Sequence, residues 1–101
     1  MGSCYHVFFR TLGSELKTDI ITALKEKSSG VNVIARTVNQ ERSKVSHALK
    51  PLLDCGFVFV EKYGRNRIYS LNKDTILPLL NLIEKHTKKY CKMCKHQEVG
   101  A

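Results

Sequence analysis

The sequence holds 101 residues, 43% of them hydrophobic, and predicts a single small domain with a modest core over residues 1–101. Its longest apolar runs are too short to cross a bilayer and its N-terminus lacks the pattern of a secretory signal, so we expect a cytoplasmic protein without a membrane partner. Seventeen lysines and arginines against nine aspartates and glutamates give a net charge of +8, which favours a polyanionic partner such as nucleic acid.

The sequence lacks the common patterns of catalytic sites. It has no glycine-rich phosphate loop, no H-E-x-x-H pair and no paired carboxylates in an enclosed setting. Nothing in it points to a small-molecule substrate. We therefore expect a protein that is not an enzyme.

The N-terminal part predicts two helices. Residues 5–13 place apolar side chains on one helical face and end at Gly13. Ser14 is a suitable N-cap for the next helix, whose apolar stripe includes Ile20 and Leu24.

Residues 32–55 predict two further helices separated by a sharp turn. The first is short and begins at Asn32, a capping residue. Asn39 follows it, and asparagine tolerates the left-handed backbone conformation that a tight turn needs. The second, in "ERSKVSHALKPLLDCG", repeats apolar residues on one face and closes at Gly56. This order has the spacing of a helix-turn-helix.

The remaining residues predict a β-hairpin and a long last helix. Residues 57–71 are rich in strand-forming residues on either side of "YGRN", which favours a turn. Residues 74–96 carry an apolar stripe at helical spacing, and Asp74 is a suitable cap. The predicted fold class is therefore mainly α with a small β-hairpin wing, a winged helix-turn-helix.

The positive charge is concentrated in two blocks. Residues 36–67 hold seven basic and three acidic residues, and residues 85–95 hold five basic residues and no acidic one. The first block is suited to duplex DNA, because polar side chains on a recognition helix reach base edges while flanking cations meet phosphates. The candidate DNA-binding residues are Arg36, Arg42, Ser43, Lys44, Ser46, His47, Lys50, Lys62, Arg65, Asn66 and Arg67. Arg42 is the best candidate for a bidentate contact to guanine.

The segment "VNVIARTVNQERSKVSHALKPLLDCGFV" resembles the helix-turn-helix of ArsR-type winged-helix transcription regulators. The preceding "LGSELKTDIITAL" and the following "EKYGRNRIYSL" resemble the upstream helix and the wing of that family. The resemblance implies a homodimer whose first helix (5–13) and last helix (74–96) pair across a two-fold axis. Two recognition helices would then read a pseudo-palindromic operator, with repression as the usual outcome.

Two other functions fit part of the pattern. A winged-helix protein-interaction or assembly module would use the aromatic first helix and the long last helix to bind another protein, and the basic wing disfavours this alternative. A non-specific architectural DNA-binding protein would share the positive charge but would show no sequence preference.

The sequence does not decide what the cysteines near the two ends of the chain do. The first helix of the motif lacks the cysteine pair of the founding metalloregulators, so their metal site does not carry over. Cys91 and Cys94 form a C-x-x-C pair, which supplies half of a tetrahedral zinc site. In the implied dimer the two chain ends lie together, and the candidate Zn²⁺ ligands are then Cys91, Cys94, Cys4, His6 and His96.

Two alternatives to zinc remain open for these cysteines. An intersubunit disulfide would join Cys4 to Cys91 or Cys94, or the cysteines have no special role. Cys55, by contrast, is expected to be a small buried apolar residue.

Overall fold

The computed structural model describes residues 2–94, and in this range it shows five helices and one β-hairpin. The elements in chain order are α1 (Gly2–Leu12), α2 (Glu15–Glu26), α3 (Val31–Val38), α4 (Arg42–Asp54), β1 (Val58–Tyr63), β2 (Asn66–Leu71) and α5 (Ile76–Tyr90). The two strands pair antiparallel. The predicted fold class is confirmed. In the described range, no helix combines the length and the apolar character needed to cross a membrane.

The apolar faces of α2, α3 and α4 meet in one core that also includes the base of the hairpin and the start of α5. The buried apolar side chains are Ile20, Ile21, Leu24, Ile34, Ala35, Val45, Ala48, Leu49, Leu52, Phe57, Val58, Tyr69, Leu71 and Ile76. Each large apolar side chain buried in this way stabilises the fold by about 1.5–3 kcal/mol. The core therefore holds one face of each helix of the predicted motif and leaves the opposite faces exposed.

The first and last helices contribute little to this core. α1 begins at Gly2, before the predicted start of the helix at residues 5–13, and its one buried described residue is Thr11. Phe8 anchors α1 by packing edge-on against the ring of Phe57, with 4.9 Å between the ring centroids. α5 buries only its first residue. Other apolar residues of the two helices are partly buried against the core, namely Phe8, Leu12, Leu77, Leu79 and Leu80, whereas Tyr5, Val7, Phe9, Leu82, Ile83 and Tyr90 stay exposed.

The start of α3 differs from the predicted start. α3 begins at Val31 with Gly30 as its N-cap, so Asn32 lies inside the helix and does not cap it. The reason is a contact from outside the segment: Ser29 and Tyr69 exchange two backbone hydrogen bonds of 3.0 and 2.9 Å. This bridge to β2 holds the chain extended up to the first residue of the helix.

The predicted last helix, residues 74–96, is shorter than expected. It begins at Ile76 because Asn72 Oδ1 accepts hydrogen bonds from the backbone N–H of Asp74 (3.0 Å) and of the next residue (3.3 Å). The predicted capping role of Asp74 is therefore wrong, and Asn72 organises this turn. The helix ends at Tyr90, since the following residue has an extended backbone. The last two residues of the predicted range lie outside the described residues.

The end of α4 depends on Gly56, as the sequence predicted. Gly56 has φ +74°, its N–H donates to the carbonyl of Leu53 (3.0 Å), and the N–H of Phe57 donates to the carbonyl of Leu52 (2.9 Å). These two bonds form a Schellman motif, which needs a left-handed residue at this position. A Cβ added to Gly56 would meet no atom within 4 Å, so glycine is required by backbone conformation alone.

Gly56→Ala should lower the free energy of unfolding by about 1 kcal/mol, because the left-handed conformation costs an L side chain roughly that much. Urea unfolding at one fixed protein concentration measures the change. Gly56→Asn should cost less, because asparagine tolerates this conformation. A Gly56→Ala protein as stable as the wild type, or one destabilised by more than about 3 kcal/mol, would contradict this explanation.

Candidate nucleic-acid interface

The turn between α3 and α4 has the geometry of a helix-turn-helix. Asn39 adopts φ 56° and ψ 49°, and among the described residues it is the one non-glycine residue with positive φ. Its N–H donates to the carbonyl of Arg36 (3.3 Å), and the N–H of Gln40 donates to the carbonyl of Ala35 (3.0 Å). These bonds close α3, and α4 begins three residues after Asn39. The left-handed turn predicted at Asn39 is confirmed.

α4 separates a buried apolar face from an exposed polar face. Its buried residues are Val45, Ala48, Leu49 and Leu52. The exposed residues include all six that the sequence assigned to DNA binding on this helix, namely Arg42, Ser43, Lys44, Ser46, His47 and Lys50. Because the core holds the opposite face, the polar side chains project from a fixed helix.

The hairpin places three further predicted cations in solvent. Lys62 lies opposite Arg67 in the strand ladder, and Arg65 lies in the turn between the strands. The hydroxyl of Tyr63 donates to Glu61 (3.0 Å), and this hydrogen bond together with the charge of the carboxylate raises the pKa of Tyr63. The ordinary pKa of tyrosine already keeps this phenol neutral at neutral pH, and the shift goes further in the same direction.

A groove of about 470 Å³ lies between α4, the hairpin and the start of α3, and we call it the wing groove. Its polar lining consists of Asn32, Arg42, Ser46, Arg65, Asn66 and Arg67. Among the residues that the structure describes, none of these three arginines has a carboxylate oxygen within 4.0 Å. Three guanidinium groups without anionic partners form a favourable place for a phosphate.

A second groove of about 610 Å³, the α2–α4 groove, lies between the start of α2 and the other side of α4. Its lining residues are Leu16, Lys17, Ser43, Lys44, His47, Ala48, Lys50, Pro51 and Asp54. Lys50 Nζ is 3.8 Å from Asp54 Oδ2, so part of its charge is compensated. Lys17 was not predicted as a neighbour of these residues, because it lies outside the helix-turn-helix segment. The sequence feature that could have identified Lys17 is its position in the first turn of the adjacent helix.

Nine of the eleven predicted DNA-binding residues line these two grooves, five the wing groove and four the α2–α4 groove. Arg36 lies apart, in a third groove of about 510 Å³ at the helix-turn-helix turn, where it shares the lining with Lys44 and Glu41. Lys62 lies on β1, across the ladder from Arg67. The wing groove and the α2–α4 groove thus join residues that are distant in sequence.

The two cysteines of the C-x-x-C pair lie close together. The backbone N–H of Cys94 points to Cys91 Sγ at 3.4 Å. His6 is exposed on α1, and His96 lies outside the described residues. Within residues 2–94 of one chain, no three His, Cys, Asp or Glu side chains are grouped closely enough to hold a metal ion. The Zn²⁺ site stays a prediction that needs ligands from a second subunit or from the undescribed C-terminus.

Cys4 has a neighbour that the sequence did not predict. It lines a groove of about 420 Å³ together with Val7, Phe8 and Cys55. Cys55 is only partly buried, and its Sγ lies 3.7 Å from Thr11 Oγ1. The alternative disulfide from Cys4 to the C-x-x-C pair of a second subunit likewise stays a prediction.

Sequence comparison identifies a transcriptional regulator as a relative of the chain. No protein-family model matches the chain. The HTH-type transcriptional regulator NmtR from Mycobacterium tuberculosis is 31% identical over 72 residues, which make up 71% of this chain and 60% of NmtR. The chain thus spans less than two thirds of the length of this curated relative.

Solved structures share the fold over most of the chain. The homodimeric winged helix-turn-helix DNA-binding domain Mb0332 from Mycobacterium bovis, described as a possible ArsR-family transcriptional regulator, matches with a TM-score of 0.80 at 16% identity, over 90% of this chain and 84% of that one. The transcriptional repressor BigR from Xylella fastidiosa matches with a TM-score of 0.70 at 17% identity, over 86% of each chain. The chain has the winged helix-turn-helix fold of ArsR-family regulators, and the resemblance seen in its sequence is confirmed.

The charge distribution in the α2–α4 groove predicts that the carboxylate of Asp54 weakens DNA binding. Asp54→Asn should raise the affinity for a short DNA duplex about two- to fivefold, because it removes an anion from the groove and releases Lys50 from an exposed ion pair. Fluorescence anisotropy at moderate salt measures the affinity. Asp19→Asn is the matched control, since Asp19 is exposed on α2 and does not line the groove. Equal effects of the two substitutions would show that the affinity depends on the net charge alone and not on the position of the anion in the groove.

Proposed function

We propose that the chain is a sequence-specific, double-stranded DNA-binding transcription regulator. The observation that carries the proposal is the wing groove, where Arg42, Arg65 and Arg67 lie together without a carboxylate within 4.0 Å in the described part of the chain. Like charges repel, so three neighbouring guanidinium groups are stabilised when an anion binds among them. The net charge of +8 adds long-range attraction to a polyanion.

α4 is suited to enter the major groove. A helix with its side chains is about 10–12 Å across, and the major groove is about 12 Å wide. Arg42 is in the first turn of α4, the part of a recognition helix that contacts base edges, and it can donate two hydrogen bonds to guanine. Ser43, Ser46 and His47 can donate or accept hydrogen bonds at neighbouring bases.

The wing supplies affinity that does not depend on sequence. Arg65 and Arg67 reach the wing groove from the hairpin, beside Arg42. Each phosphate that such cations neutralise releases condensed counterions, which makes binding steeply dependent on salt. Single substitutions should therefore be able to weaken base readout by α4 and phosphate binding by the wing separately.

The exposed apolar surface of the first and last helices supports a homodimer. The large exposed apolar residues of α1 and α5 are Tyr5, Val7, Phe9, Leu82, Ile83 and Tyr90. Phe9 is 64% exposed and Leu82 is 62% exposed, and apolar surface of this kind marks an interface. Mb0332, which shares the fold, is homodimeric. In a two-fold dimer through α1 and α5, the two α4 helices would read half-sites one helical turn apart, about 34–36 Å.

We further propose repression as the mode of regulation and the cytoplasm as its place. BigR, one of the structures that share the fold, is a transcriptional repressor. A dimer bound across a promoter excludes other proteins from the same stretch of duplex. Such a dimer acts in the cytoplasm, where it has access to the chromosome.

Arg42→Ala should remove the preference for one base position and cost about 1–3 kcal/mol against the preferred sequence, because a bidentate guanine contact is lost. Arg65→Ala should weaken binding to all duplexes alike and lower the salt dependence by about one phosphate. Competition binding with a set of single-base variants of a selected operator measures both effects.

The matched pair makes this test specific, since both substitutions remove one guanidinium from the same groove. If Arg42→Ala left the base preference unchanged while Arg65→Ala altered it, the assigned roles would be wrong. Absence of duplex binding by the wild type at low salt would refute the proposed function itself.

Phe9→Glu should convert the dimer to a monomer, because a carboxylate at the interface would have to lose its hydration on association. Light scattering coupled to size exclusion measures the mass. Phe59→Glu is the control, since Phe59 is a similarly exposed phenylalanine (51%) on the wing. A monomeric wild type, or equal dissociation by the two substitutions, contradicts dimerisation through α1.

A further inference from the structure

We propose that Lys17, on α2, binds a DNA phosphate on the side of α4 opposite the wing groove. This inference rests on the proposed function. It extends the DNA interface beyond the helix-turn-helix and the wing to the helix that precedes them.

Lys17 shares a groove with the DNA-facing side of the recognition helix. The α2–α4 groove contains Lys17 together with Ser43, Lys44 and His47 of α4. Successive residues of an α-helix are rotated by about 100°, so Lys44 projects about 200° around α4 from Arg42. The wing groove and the α2–α4 groove therefore flank the exposed face of α4 on its two sides.

The position of Lys17 is fixed by its helix. Its backbone N–H donates to Ser14 Oγ (3.3 Å), the predicted N-cap contact that orders the first turn of α2. The residue is partly buried, which is the state of a lysine whose aliphatic stem lies along the protein while its ammonium group reaches solvent. A lysine held in this way loses less side-chain entropy on binding than a fully exposed one.

Among the described residues, the ammonium group of Lys17 has no anionic partner. Across the described range, no carboxylate oxygen lies within 4.0 Å of it. Lys25, two turns further along the same helix, differs in this respect, because its Nζ lies 3.2 Å from Glu84 Oε2. The charge of Lys17 is therefore available for a ligand, and that of Lys25 is compensated.

The charges along the groove select both the kind of ligand and its place. The Lys17 ammonium is a donor only and acts as a point charge, which suits a phosphate better than the mixed donor and acceptor edge of a base. Asp54, beside Lys50, repels an anion from its part of the groove. The phosphate is therefore expected to bind between Lys17 and Lys44.

Two flanking sites fit the shape of duplex DNA. The major groove is bounded by a phosphate backbone on each side, about 12 Å apart. The wing arginines neutralise one backbone, and Lys17 with Lys44 neutralises the other. A helix held from both sides has a defined position in the groove, which base readout by Arg42 requires.

The test compares Lys17→Gln with Lys25→Gln in the 101-residue chain. Each variant removes one ammonium from α2 and keeps most of the side-chain stem, and thermal unfolding checks that the fold is retained. The probe is a duplex of about 30 base pairs of mixed sequence, and its dissociation constant is measured over a range of KCl concentrations. A further variant combines Lys17→Gln with Arg65→Ala.

We expect Lys17→Gln to weaken binding about three- to tenfold and to reduce the slope of log K against log [KCl] by about 0.9, the value for one phosphate. Lys25→Gln should change neither quantity. The combined variant should reduce the slope by about twice as much as either single substitution, because the two cations contact different phosphates.

Two results would overturn the inference. They are an unchanged slope in Lys17→Gln, with or without a loss of affinity, and a combined variant whose slope equals that of Arg65→Ala. Each leaves the proposed function intact as long as the wild type binds the duplex. If the wild type binds no duplex even at low salt, the proposed function and the inference both fail.

Discussion

The backbone bridge between Ser29 and Tyr69 is the constraint on which the interface depends, because it fixes the wing relative to the helix-turn-helix. The two residues exchange hydrogen bonds of 3.0 and 2.9 Å across the edge of β2. The approach is close: a Cβ on Gly30 would lie 3.3 Å from the carbonyl oxygen of Arg67. Since Tyr69 is also buried in the core, the hairpin cannot rotate independently, and its arginines stay beside Arg42.

The cations of the wing groove and of the α2–α4 groove lie on different elements from most of the large exposed apolar side chains. The cations that lack a carboxylate partner and face the wing groove or the α2–α4 groove belong to α2, α4 and the hairpin, whereas α1 and α5 carry most of the large exposed apolar side chains. Because α1 and α5 bury so few residues in the core, they can pair with a second copy and leave α4 uncovered. Such a dimer would set the distance between two recognition helices, so a change at its interface would alter DNA binding.

The parts of the fold that depend on local residue types were predictable from the sequence. The 3.6-residue periodicity predicted the helices and their buried faces, and the left-handed turn at Asn39 followed from the residue type. The starts of α3 and α5 were not predictable, because they depend on the Ser29–Tyr69 bridge and on Asn72, which also donates to the carbonyl of Gly56 (2.8 Å). The candidate site likewise has a part that was predictable from the sequence and a part that was not. Its exposed residues were found from the motif, but the place of one lysine of α2 among them follows only from the packing of α2 against α4.

The most direct test of a dimeric, sequence-specific regulator is selection from a pool of random-sequence duplexes. The purified protein retains bound duplexes over several rounds at physiological salt, and the retained pool is sequenced. We predict an enriched pseudo-palindrome whose half-sites are centred about 10–10.5 base pairs apart, or a multiple of that distance. A retained pool with no enriched sequence, or with a single half-site and no symmetry, would contradict it.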